Sequence, residues 1–199
     1  MNIVLATKNK KKAEEMKKIL ADAGVHIDSI LTLQDFPECP EVEEDGSTFE
    51  ANAAKKARFV SEHTRMIAVA DDSGLEVDAL KGAPGVFSAR YAGEPADDKK
   101  NTEKLLKEMQ NVPDEKRTAR FVCCIALALP DKEVKTFFGT VEGTIGRELR
   151  GQNGFGYDPV FYPEGSARTF AEMSDKEKNA ISHRGGAIRK LTEYLLRTL

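Results

Sequence analysis

The sequence predicts a mixed α/β fold. Three observations carry this. Short apolar runs alternate with helix-period segments over the first seventy residues, as in βαβ units. Two later apolar runs, 118–129 and 134–141, are separated only by "PDKE" and read as an antiparallel hairpin. The chain has 199 residues, 40% of them hydrophobic, enough for one sizeable domain or one core elaborated into two lobes.

The elements follow in order. "NIVLAT" (2–7) is a short apolar strand. Met16, Ile19, Leu20 and Ala23 then recur at helical spacing within 10–23. "HIDSIL" (26–31) is a second strand, and "FPECPEVEEDG" (36–46) an acidic loop with two prolines. Ser47 and Glu50 make a capping-box pattern opening a helix to about residue 63. Ile67–Ala70 is a third strand, which the sequence places as ending at Asp71 and Asp72. "KGAPGVFSARYAG" (81–93) is rich in turn residues, and 97–109 is helical, with Leu105, Leu106 and Met109 on one face. The hairpin comes next, and a further short strand is expected around "EGTIG". A glycine-rich loop, "RGQNGFGYDP" (150–159), precedes a second capping box, Ser174 with Glu177, and a terminal helix from about 185 to 198 beyond a Gly-Gly break.

Composition excludes several classes. Charged residues make up 32% of the chain, with both signs interspersed and a formal net charge of -3, which argues against a nucleic-acid binder. The longest apolar run, "FVCCIALAL", is half of what a membrane span needs, and the N-terminus does not read as a signal peptide. The three cysteines show no disulfide framework or metal-type spacing; Cys123 and Cys124 are strand neighbours facing opposite sides. The expectation is a cytoplasmic protein with reduced thiols.

Four stretches bear chemistry, each with a plainer alternative. In "ATKNKKKAEE" (6–15) a helix starts near Asn9, a good N-cap, with Lys8, Lys10, Lys11 and Lys12 at the end where cations are unfavourable for helix stability. A bound phosphate would reverse that sign; a solvated lysine run is the alternative. In "AVADDSGLEV" (68–77) two adjacent carboxylates cannot both be buried cheaply without a cation. They suit Mg²⁺ or the orientation of a water, or else they cap the next segment. Lys55 and Lys56 lie on a helix beside the acidic loop, which could supply another metal ligand. "GFGYDPVF" (154–161) offers close backbone approach at Gly154 and Gly156 and flat faces at Phe155 and Tyr157, or it closes the core. "EKNAISHRGGA" (177–187) groups Lys178, His183 and Arg184, donors that suit an anion or a keto oxygen, or a structural histidine.

Together these motifs resemble the inosine triphosphate pyrophosphatase family, whose bacterial members are dITP/XTP pyrophosphatases. "TKNKKK", "DDSGL", "GAPGVFSARY", "GFGYDP" and "KNAISHR" occur in that order, from the first strand to the last helix. The resemblance implies a single pyrophosphatase domain over 1–199, an elongated mixed β-sheet with flanking helices in two lobes around a central cleft, and a homodimer. It implies Mg²⁺-dependent hydrolysis of dITP, ITP and XTP to the monophosphate and pyrophosphate, with no nucleic-acid or membrane partner. By motif, Thr7, Lys8, Asn9, Lys10, Lys11 and Lys12 hold the triphosphate. Asp72 binds metal and accepts the proton, Glu44 is a second metal ligand with Glu43 close behind, and Ser73 touches substrate. Phe155, Gly156, Tyr157 and Asp158 form the base and ribose pocket; Lys178, His183 and Arg184 read the base. One departure is that family members often carry glycine where this chain has Lys8 and Lys11.

Overall fold

A six-stranded sheet in the order β2-β1-β3-β4-β5-β6 organises the chain, here described from a computed structural model at residues 1–130 and 133–198. The strands are β1 Asn2–Leu5, β2 Ser29–Thr32, β3 Ile67–Val77, β4 Thr118–Ala128, β5 Lys135–Ile145 and β6 Phe161–Pro163. The helices are α1 Lys10–Asp22, α2 Phe49–Thr64, α3 Asp98–Glu108, α4 Asp175–Ile181 and α5 His183–Thr198. The mixed α/β expectation is met. β1 pairs in parallel with both β2 and β3, which requires the helical crossovers α1 and α2, while β5 and β6 are antiparallel. β4 and β5 are sheet neighbours, as a hairpin requires. The middle of its predicted turn, Asp131 and Lys132, lies outside the described residues.

Several local expectations are corrected. β1 stops at Leu5, so Thr7 and Lys8 belong to the turn that enters α1. Thr48, not Ser47, caps α2: its hydroxyl accepts from the Ala51 amide, and Glu50 turns to accept from the Thr136 hydroxyl at 2.7 Å. "EGTIG" continues β5 rather than starting another strand, β6 is an additional element, and the Ser174–Glu177 capping box opens α4 as expected. The Gly-Gly pair does not break a helix. α5 begins at His183 and runs through Gly185 and Gly186.

The largest correction concerns β3. It does not end at the aspartates but continues to Val77. What ends there is its partner. β1 pairs with β3 only as far as Leu5 opposite Val69, with one further bond from the Ala6 amide to the Val69 carbonyl at 2.8 Å. Asp71 and Asp72 therefore sit just past the point where β1 turns away, on a strand that stays extended.

The chain divides into two compact units, each built from separate segments: 1–72, 123–139 and 184–199 in the first, 73–122 and 140–183 in the second. The first has a core of Ile3, Leu5, Met16, Leu20, Val69, Ile125, Leu127, Ile188 and Leu191. α1 contributes Ala13, Met16, Ile19 and Leu20, the apolar stripe of its 3.6-residue period. The second core gathers Leu75, Val77, Leu105, Met109, Phe121, Tyr157, Phe161 and Phe170. Among the described residues no helix is long and apolar enough to cross a membrane.

Candidate active site

In the first unit the two neighbouring aspartates have different surroundings, because adjacent strand residues face opposite sides of the sheet. Asp71 is 1% exposed and meets two cations. Lys12 Nζ lies 2.6 Å from its Oδ1, and Arg184 Nε donates to its Oδ2 at 3.1 Å. Cys123 Sγ is 3.2 Å from the same oxygen. Arg184 Nη1 donates to Glu15 Oε2 at 2.8 Å, so a buried guanidinium holds two carboxylates. Burial alone would push Asp71 up; Arg184 and Lys12 outweigh it and hold the carboxyl well below the usual range. The same pairing raises Lys12 against its own burial penalty.

Asp72 is 4% exposed and behaves in the opposite sense. Burial pushes it up to about 6; Lys56 and Lys12 draw it down less than that, while Glu44 and Asp71 add to the rise. Lys56 ties the surroundings together. Its Nζ donates to the Asp71 carbonyl at 2.8 Å and to Glu44 Oε1. The acidic loop is fastened at two further points, Lys55 to Asp45 at 2.6 Å and Lys8 to Glu41 at 3.3 Å. Asn9 caps α1 as the sequence indicates, its Oδ1 accepting from the Lys12 amide at 3.1 Å, and Lys10 and Lys11 are exposed beside it. Thr7 accepts from the Asn9 amide at 3.1 Å.

In the second unit the glycine-rich loop folds around Asp158. Its Oδ2 accepts from the Phe155 amide at 2.9 Å and from Lys178 Nζ at 2.7 Å. Gly154 is required here: at φ +72° a Cβ would stand 2.1 Å from that same oxygen. Lys178, 5% exposed, also lies 4.9 Å from the centroid of the Phe155 ring and 5.8 Å from that of Phe170. His183 stacks flat on Phe121, with centroids 4.7 Å apart and planes 8° from parallel. Ser73 is half-buried on β3 directly after Asp72.

Two side chains make contacts that the sequence pattern does not specify. Tyr157 does not present a face for stacking: it is 4% exposed within the second core, and its hydroxyl donates to the Ser88 carbonyl at 2.8 Å. It is an anchor for the loop. Arg184 directs Nε and Nη1 to carboxylates of its own unit, Asp71 and Glu15. Sequence reasoning does not single out Glu15 or Phe121, and it reads Cys123 only as a strand thiol. Their partners lie 169, 52 and 62 positions away (from Glu15 to Arg184, Cys123 to Asp71 and Phe121 to His183), and no local pattern marks them.

Among the described residues no group of three or more His, Cys, Asp and Glu is gathered for a metal. Asp72 and Glu44, which lies close enough to influence it, would offer a hard cation oxygen donors only, with waters and phosphates to complete the shell. The raised carboxyl of Asp72 is one whose charge the surrounding lysines do not fully offset.

The sequence model of the Ham1 family matches residues 3–194. A protein of Desulforamulus reducens named dITP/XTP pyrophosphatase is 54% identical over 197 residues, covering 99% of this chain and 96% of its own. One of Bacillus licheniformis with the same name is 51% identical over 193 residues, covering 97% of each. Among solved structures, the Staphylococcus aureus Ham1 protein aligns over the whole of both chains with a TM-score of 0.88 at 42% identity. A HAM1 protein from Coxiella burnetii does so with a TM-score of 0.89 at 45% identity.

Proposed function

The chain belongs to the Ham1 family, and from that premise we propose that it acts as a dITP/XTP pyrophosphatase: it hydrolyses non-canonical purine nucleoside triphosphates (dITP, ITP and XTP) to the nucleoside monophosphate and pyrophosphate. The observation that supports a mechanism best is the unequal pair of aspartates. Asp71, locked between Lys12 and Arg184, is ionised and structural. Asp72, pushed up to about 6 beside Lys56 and Glu44, is ionised near neutral pH yet basic enough to take a proton.

Asp72 orients the attacking water and accepts its proton as the oxygen closes on the α-phosphorus and pyrophosphate leaves. Lys12 and Lys56 place positive charge beside that reaction, and the amides and lysines at the start of α1, from Thr7 to Lys12, hold the β- and γ-phosphates. Mg²⁺ is the cofactor we propose, held by Asp72 and Glu44; when bound it neutralises triphosphate charge. The rest is positioning and charge stabilisation, as in phosphoryl transfer generally.

The base falls to the glycine-rich loop and residues 178–184. Phe155 stacks on the purine, Lys178 and Asp158 fix that face, and His183, with Arg184 beside it in the chain, donates to the 6-keto oxygen. Adenine presents an amino group there, and each donor left facing it costs about 1–3 kcal/mol. The same family premise leads us to propose a homodimer acting in the cytoplasm.

The test is pyrophosphate release from ITP, XTP, dITP, ATP and GTP with Mg²⁺. We expect turnover of the first three and discrimination against ATP; equal turnover of all five removes the base-reading assignment. Asp72→Asn is expected to lower kcat by about 10²–10⁴ without changing the melting temperature by more than a few degrees. A near-normal kcat would show that Asp72 is not the proton acceptor.

A further inference from the structure

Gly156 sits in the middle of the glycine-rich loop with a left-handed backbone, φ +59°, and nothing lies within 4 Å of where a Cβ would be. A side chain here would enter open space, and two side chains near the start of α3 hydrogen-bond the backbone groups of this residue. Asp98 Oδ2 accepts from the Gly156 amide at 3.0 Å. The Thr102 hydroxyl, 2.8 Å from the Asp98 carbonyl, also reaches the Gly156 carbonyl at 3.3 Å. Residues 98 and 102 are one helical turn apart and share a face. Asn101 on the adjoining face is 1% exposed and ties down residues 89–92, accepting from the Ala92 amide at 2.6 Å and donating to the Ala89 carbonyl at 2.9 Å.

α3 does not need Asp98 for its own start. Its N-cap is Asp97, whose Oδ1 accepts from the amides of Lys99 and Lys100. The Asp98 carboxylate is instead turned to a loop 58 residues away. Phe155 precedes the clamped glycine; Tyr157, which follows it, is pinned separately through Ser88.

We propose that Asp98 and Thr102 are positioning residues for base recognition: by grasping both backbone polar groups of Gly156 they set the height and tilt of the Phe155 ring. This rests on the reading that residues 155–158 take the purine. Loss of the clamp lets the Phe155 peptide rotate and weakens stacking, while the groups that act on the α-phosphate are untouched. The effect belongs in KM rather than kcat.

The experiment measures kcat and KM for ITP, with melting temperatures, for Asp98→Ala, Asp98→Asn, Thr102→Val and Phe155→Ala. Asp98→Ala is expected to raise KM about tenfold with kcat within about twofold, the loss of one charge-assisted hydrogen bond. Asp98→Asn keeps an accepting oxygen and is expected to restore KM to within about threefold of the parent. Thr102→Val, similar in shape but without the hydroxyl, raises KM in the same direction and tests the clamp should Asp98→Ala fail to fold. An unchanged KM in Asp98→Ala, or a Asp98→Asn variant as impaired as the alanine, overturns the proposal. Phe155→Ala separates the two levels. If it raises KM and Asp98→Ala does not, the clamp alone is wrong; if it leaves KM unchanged, the loop is not the base site and both readings fall.

Discussion

A like-charged pair in a strand interior is resolved residue by residue. Asp71 is neutralised from within by Lys12 and Arg184, and Asp72 keeps a raised affinity for protons. Arg184 is the costly member, 1% exposed and facing two carboxylates. Removing one partner of a buried ion pair typically costs about 3–5 kcal/mol, since the other charge is stranded. Arg184→Met should therefore lower the unfolding free energy measured by urea titration by an amount in that range; a loss below about 1 kcal/mol would mean that Asp71 and Glu15 do not depend on it. At the surface, Glu177 behaves differently. A hydrogen bond from Arg168 is the main influence, the Ser174 amide and hydroxyl add to it, and together they lower its carboxyl from 4.5 to about 2. A depressed folded-state value contributes stability above the unfolded value and loses it as pH falls. The melting-temperature gap between the parent and Glu177→Gln should be full above pH 4.5 and close as pH approaches 2; a gap that widens toward acid would refute the assignment.

Elements show where local rules held and where they were overruled. Asn9, Asp97 and Ser174 cap their helices with side-chain oxygens; Asn9 and Ser174 were legible, because a cap is a contact within three residues. The Gly-Gly pair was misread as a break. Glycine is a poor helix former, but α5 runs through the pair from His183 and buries Ala187, Ile188, Leu191 and Leu195 in the first core, a gain that propensity does not see. Gly186 is a place to recover that loss. A Cβ there would meet Gly139 Cα at 3.7 Å and Arg189 Nη2 at 3.8 Å, ordinary contacts. Gly186→Ala should add about 0.5–1 kcal/mol of stability, read from thermal or urea unfolding. Gly143 is the counter-example: a Cβ would stand 2.2 Å from the Tyr162 carbonyl, where β5 meets β6.

At the scale of the whole molecule, neither unit is a continuous stretch of chain. The first needs β4 and α5, which supply Ile125, Leu127, Ile188 and Leu191 to a core begun by β1 and α1. A fragment of residues 1–72 lacks those side chains and should stay unfolded, with no dispersion in its amide proton spectrum; a folded fragment would show that the later segments are dispensable.

By itself the sequence determined the alternation of strands and helices up to the hairpin, the caps of α1 and α4, the family and the stretches that carry charge and glycine, since all of these are written in neighbouring residues or in short motifs. Only the tertiary structure decided that β3 runs on past the aspartates, that Tyr157 is an anchor, and that Arg184 and Glu15 complete the surroundings of Asp71. Those outcomes depend on which distant segments meet, because a buried charge takes its protonation and its role from neighbours in space, and Arg184 lies 113 positions from Asp71.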